Sequence, residues 1–178
     1  MLKYIKFCLF FNLTLSILFS SELPNELLGL KLGDKYSNVK KLFILKKVKT
    51  ENFYKIFKVS YLEENIETYV SFFERKIFKI EVSYKEEFIE ESDWLNIYNQ
   101  AISYYGQPKK AEVEQKGNFV EENYIWEEKN IKYIYQKIIQ NGKIKKFTIT
   151  LVDKNIEEKI LNLPKIKKLY YKILNIFI

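Results

Sequence analysis

Asn141-Gly142 stands between two runs rich in β-branched and aromatic residues, Ile131 to Ile139 and Ile144 to Val152. Both residues of an Asn-Gly step tolerate positive φ, so the step closes a two-residue hairpin whose twist matches that of its strands. The chain is therefore expected to hold a long antiparallel pair, which must be continued by further strands and covered by a helix to be stable.

Further strands are legible upstream. Phe53 to Tyr61, Ile66 to Phe73 and Ile77 to Tyr84 are strand-like, and Glu74-Arg75-Lys76 reads as the turn between the last two. In the third run Phe78, Ile80, Val82 and Tyr84 alternate with Lys79, Glu81 and Ser83, which predicts one buried and one wet face. Asn123 to Glu127 adds another strand, and Lys110 to Gln115 a weaker one.

Two helices precede these strand groups. The first is expected from about Asp34, as cap, to Lys47, with Tyr36, Val39, Leu42, Phe43 and Lys46 at steps of three and four. The second is expected from Ser92 as N-cap, with Leu95, Tyr98, Ile102 and Tyr105 on one stripe and Gly106 and Pro108 past its end. A shift of 54 residues sets Phe72, Ile77 and Ile80 against Trp126, Ile131 and Ile134. The fold class read from this is α+β: an antiparallel meander sheet with helices packed on one face, as a tandem repeat of helix plus three strands over 29–85 and 90–152.

Residues 1–21 read as a secretory signal peptide. Lys3 and Lys6 give the positive start, Phe7 to Phe19 the apolar run, and Ser20 and Ser21 the small residues at the cut. The alternative is an uncleaved anchor, although the run is shorter than the roughly 20 residues a span needs. The remainder divides into a single α+β domain over 22–163 and an amphipathic helix over 164–178. That helix sets Ile166, Leu169, Tyr170, Ile173, Leu174 and Phe177 against Lys165, Lys167, Lys168 and Lys172. It either touches an anionic membrane surface through those lysines or covers the protein's own sheet.

The residues absent from the chain narrow its chemistry. There is no histidine, which removes the usual general base and the commonest metal ligand. The single cysteine, Cys8, lies in the leader, so the remainder has no disulfide, thiol nucleophile or thiolate site. The net charge of +7 is carried almost wholly by lysine, with Arg75 the only arginine, which argues against a nucleic-acid partner that arginine forks would read. No glycine-rich phosphate loop is present, and Asp153-Lys154-Asn155 with Glu157 and Glu158 is too short for a calcium loop; it reads as a helix start capped by Asp153. No cofactor or metal is expected. Glu63, Glu64, Glu86, Glu87, Glu121 and Glu122 are the only hint of a carboxylate pair, and their place at element ends reads as solvated charge.

Gly29-Leu30-Lys31-Leu32-Gly33-Asp34 with Val39, the helix end Tyr105-Gly106-Gln107-Pro108 and the hairpin beginning at Trp126 resemble small bacterial periplasmic domains. Those are the β-lactamase-inhibitor-protein-like and outer-membrane-assembly lipoprotein (SmpA/OmlA) group. Lys35 departs from the serine or threonine frequent there, and no lipobox cysteine follows the leader. The resemblance implies a non-catalytic module that binds proteins or envelope components.

The expected protein is thus exported, periplasmic or otherwise associated with the cell envelope, not an enzyme, and engaged with an envelope protein through an aromatic sheet face. Tyr69, Phe73, Tyr133 and Tyr135 are the candidate contact residues. The rival readings are a membrane-peripheral protein using the C-terminal helix and a carboxylate-dependent cell-wall glycan hydrolase.

Overall fold

The computed structural model describes residues 22–51, 53–60, 66–86 and 89–163. The leader and the 164–178 segment, with Lys165, Lys167, Lys168 and Lys172, lie outside the described residues, as do Glu63, Glu64 and Glu87.

A small hairpin of β1 (Glu26–Leu27) and β2 (Leu30–Lys31) leads into α1 (Tyr36–Leu42), then β3 (Ile44–Glu51), β4 (Tyr54–Ser60), β5 (Ile66–Phe73) and β6 (Lys76–Lys85). After α2 (Glu91–Tyr105) come β7 (Lys110–Lys116), β8 (Phe119–Glu128), β9 (Ile131–Gln140), β10 (Lys143–Asp153) and α3 (Lys154–Leu161). Eight strands form one antiparallel sheet in the order β3-β4-β5-β6-β10-β9-β8-β7. The α+β class and the antiparallel meander read from the sequence are what the chain adopts.

Each half is a helix followed by four strands rather than three, because β3 and β7 complete the meanders as outer edges. The halves meet where β6 pairs β10, with Ser83 Oγ and Thr148 Oγ1 3.2 Å apart across that seam. The 54-residue shift matches β5-β6 with β8-β9, whereas by place in its meander the partner of β5-β6 is β9-β10.

Alternation along the central strands sends one set of side chains toward α1 and α2. Val70, Phe72, Ile80, Val82, Phe147, Ile149 and Leu151 pack there with Val39 of α1 and with Trp94, Ile97 and Ala101 of α2. Trp94 is 2% exposed and touches Phe147 edge-on at 5.2 Å, so α2 is held chiefly by apolar burial. On the other face α3 covers only one end, where Ile160 and Leu163 join Phe53, Phe73 and Phe78. Helices therefore occupy both faces, not one.

Several local expectations need correction. The first helix stops at Leu42, and Ile44–Glu51 is an edge strand; Lys46 belongs to that strand. Its N-cap is Lys35 without a side-chain bond, while the Asp34 carbonyl accepts from Ile77 N–H at 2.9 Å. The cap of α2 is Glu90, whose backbone N–H donates to Asp93 in a capping box; Ser92 lies inside the helix, and Leu95 is 46% exposed. A bulge opposite Ser71 and Phe72 inserts Phe78 between the positions paired with them, so Phe78 packs against Phe73 on the α3 side and not beside Ile80. Asp153 caps α3, accepting from Ile156 N–H at 3.1 Å.

Candidate functional site

The broadest surface free of described helices is the sheet face opposite α1 and α2. Strand register lines up Lys58, Tyr69, Glu81, Thr150, Ile134 and Ile125 in one row across six neighbouring strands. At about 4.8 Å per strand the row is about 24 Å long. Tyr69, Glu81, Ile134 and Ile125 are half-buried, and Thr150 at the centre is small and buried, so the middle of the row is recessed between longer flanking side chains.

Polar groups on this face are tied to one another. Lys58 donates to Glu67 at 2.6 Å and Tyr69 Oη donates to the same carboxylate at 3.1 Å. Burial, then the Glu67 bond, pushes the Tyr69 phenol above its ordinary value. On the β8 side Glu121 accepts from Asn123 at 3.0 Å and from Gln136 at 2.7 Å. Lys116 and then Asn123 hold its carboxyl below the ordinary value, and Lys154 does the same for Glu127. These carboxylates are anions stabilised by donors, the opposite of a glycosidase acid, whose proton must be held above the usual range. Glu121 and Glu122 point to opposite faces, Glu122 toward Lys137 on the helix side.

The four predicted contact residues do not form one surface. Tyr133 and Tyr135 are 1% and 5% exposed, beneath α2 and among Trp94, Trp126, Tyr105 and Phe147. They share a face, but it is the covered one. Phe73 does lie on the second face, as its alternation with Phe72 predicts, yet α3 buries it to 2%. Tyr69 alone of the four reaches the open row.

A groove of about 790 Å³ lies between the start of α2 and the β9-β10 turn, lined by Glu86, Ile89, Glu90, Glu91, Gly142 and Lys143. Its carboxylates already serve the fold: Glu86 pairs with Lys145, Glu90 caps α2 and Glu91 lies 3.3 Å from Lys137. Among the described residues no cluster of three or more His, Cys, Asp or Glu could hold a metal ion, and no helix is long and apolar enough to cross a membrane.

No protein-family model matches the sequence, and no curated protein matches it. Among solved structures the chain is similar to a cysteine-rich secretory protein from Staphylococcus aureus subsp. aureus Mu50, at 13% identity and a TM-score of 0.47. The match covers 77% of this chain and 50% of that one, so the chain spans about half its length.

Sequence reasoning missed Ile134 and Ile125 as surface residues, because they sit inside runs that read as core. The clue was alternation itself: once Tyr133 and Tyr135 are assigned to one side, Ile134 must take the other. It also missed the buried Lys137, which no local pattern distinguishes from a solvated strand lysine.

Proposed function

We propose that this chain is an exported, non-catalytic module of a bacterial envelope that binds a partner protein through the open sheet face. The observation carrying the binding surface is the row of Lys58, Tyr69, Glu81, Thr150, Ile134 and Ile125, wide enough at about 24 Å for a folded partner. It combines a phenol, two isoleucines and charges of both signs, the mixed apolar and polar character that protein interfaces share. Lys58 and Glu67 are already paired, which lowers the desolvation cost of covering them.

A non-catalytic role is supported by the absence of histidine from the whole sequence and by donor-bound carboxylates whose acidity is raised. Export is supported by the Lys3/Lys6 start and the Phe7 to Phe19 apolar run. The Gly29 to Asp34 resemblance to small periplasmic domains implies a non-catalytic module that binds proteins or envelope components, in agreement with both.

The test is a photo-crosslinking residue placed at Ile134, with Leu95 on exposed α2 as control, in cells making the full chain. One envelope protein joined from Ile134, not from Leu95, and lost when Tyr69→Ala is added supports the reading. Joining from Leu95 alone, or no specific adduct from either position, overturns it. Separately, recovery from cytosol with Met1 still attached would remove export.

A further inference from the structure

The described surface carries one strongly one-signed patch. Between Lys35 and Thr50 there are six lysines, Lys35, Lys40, Lys41, Lys46, Lys47 and Lys49, and no Asp or Glu. All six are exposed: Lys35 at the N-cap of α1, Lys40 and Lys41 on α1, and Lys46, Lys47 and Lys49 on β3, the outermost strand of the first half. Among the described residues the ion pairs of this run reduce to Lys49 with Glu51. The same edge holds three exposed aliphatic side chains, Leu42 at 77%, Ile44 at 75% and Val48 at 50%. We infer that this edge, α1 and β3 together, seats the protein on the anionic surface of a lipid bilayer.

The chemistry of this edge selects a bilayer. Lysine is a strongly hydrated point charge that responds to a diffuse negative field without bidentate geometry, and no arginine lies in the run. A soluble polyanion would neutralise the lysines and leave Leu42, Ile44 and Val48 in water, whereas a bilayer accepts apolar side chains between its headgroups. A second copy of the chain would set the six lysines against another six, which repels. The neighbouring Lys55 ammonium is itself destabilised, first by burial and then by the charges of Lys47 and Arg75.

The competing explanation is edge protection. Lysines and a bulge at Val48 keep β3 from pairing with another strand, and that alone accounts for charge on a strand edge. It does not account for Lys40 and Lys41 on α1, nor for Leu42 and Ile44 standing bare beside them. Lys46 pairs with Lys58 and so adjoins one end of the open row, while Lys40, Lys41 and Leu42 lie on α1; the inference does not rest on a protein partner binding that row.

Cosedimentation of the full chain with vesicles tests it, using phosphatidylcholine alone and phosphatidylcholine with phosphatidylglycerol, at low and high salt. Binding is expected to be at least about tenfold tighter to the anionic vesicles and to weaken with salt. Lys46→Glu with Lys47→Glu and Lys49→Glu should weaken it at least about tenfold, and Leu42→Ser with Ile44→Ser several-fold at unchanged charge. Changing Lys165, Lys167, Lys168 and Lys172 together to Glu should preserve the dependence on β3. The inference is overturned if the β3 charge reversal binds like the parent, if the Leu42/Ile44 variant does, or if the tail variant alone abolishes binding. Thermal melts confirm that each variant is folded, and the Leu42/Ile44 pair, about three-quarters exposed, decides the matter should the charge reversal not fold.

Discussion

The Lys137 ammonium lies 4.8 Å from the centre of the Trp94 ring, which fixes the first turn of α2 over β9. Its side chain is 7% exposed, and its charge is met by Glu122 at 3.1 Å and Glu91 at 3.3 Å. Glu122 also accepts from Tyr124 Oη at 3.0 Å, so one carboxylate joins β8, β9 and, through lysine, α2.

Truncating one member of such a cluster strands the others. Lys137→Ala is expected to destabilise the chain by about 2 kcal/mol, since the half-buried Glu122 carboxylate loses its cation and the Trp94 ring loses its cover. Lys137→Met combined with Glu122→Gln should cost less than the two single changes added, because neither charge is then left alone. Denaturant unfolding of the four proteins in the cycle checks this; strict additivity would show that the pair is not coupled.

Two hairpin turns pose the same backbone problem with different residues. Asn141 and Gly142 have φ of 52° and 72°, and Glu74 and Arg75 have 49° and 64°. A side chain in this region costs roughly 1–2 kcal/mol. Gly142→Ala should therefore destabilise by about 1 kcal/mol, while Arg75→Gly should stabilise by up to about 1 kcal/mol, less the entropy glycine adds to the unfolded chain. Thermal melts moving in opposite directions are the expected outcome; Arg75 can be changed freely in this respect because its contact with Tyr36 N–H uses its backbone carbonyl.

The shifted groups give stability a pH dependence at both ends. Glu51, Glu121 and Glu127 are held below their ordinary value of 4.5, chiefly by Lys49, Lys116 and Lys154 respectively. Their contribution is present above 4.5 and is lost as pH falls through the lower folded values, so stability should decline below about pH 4.5 and Glu121→Gln should flatten part of that decline. At the alkaline end burial raises Tyr133 and Tyr135 above 10.0, and Tyr124 is pushed up to about 12 by burial and its bond to Glu122. Those phenols add stability below pH 10 that is lost as pH rises toward the folded values. Phenolate absorbance should show them ionising only with unfolding; their ionisation near pH 10 in the folded chain would contradict the packing.

Much of this architecture is written in short-range signals. Asn141-Gly142, Gly106 beyond α2 and Asp153 before α3 each meet a local backbone requirement, and each sits where that requirement predicts. The start of Ile44–Glu51, as far as Lys47, is open to a helical reading because an exposed edge strand need not bury alternate residues, so Lys46 fits a spacing of three and four equally well. Phe78 was misplaced because a bulge depends on the partner strand, which lies outside any local window. The fate of Tyr133 and Tyr135 depended on which face α2 covers, and that is decided by Trp94 finding Phe147 and Tyr135, contacts far apart in the sequence. Of the binding surface, Tyr69 was legible and its row was not, since a row exists only once six strands are in register.

Folding and binding should separate at Phe73 and Tyr69, two positions that lie on one face of the same strand. Phe73 is 2% exposed among Phe53, Phe78 and Ile160, so Phe73→Ala removes a packed ring and leaves a cavity, at a cost of about 3–4 kcal/mol. Tyr69 is half-buried and loses only its contact with Glu67 and the edge of Lys58, so Tyr69→Ala should cost about 1 kcal/mol. The partner crosslink from Ile134 should nevertheless fall sharply with Tyr69→Ala, because an aromatic anchor in an interface contributes far more to association than to the fold. With a conservative Phe73→Leu, which keeps the α3 end packed, the crosslink should persist. Equal loss of crosslink from both substitutions at matched stability would move the contact surface from the row to the α3 end of the sheet.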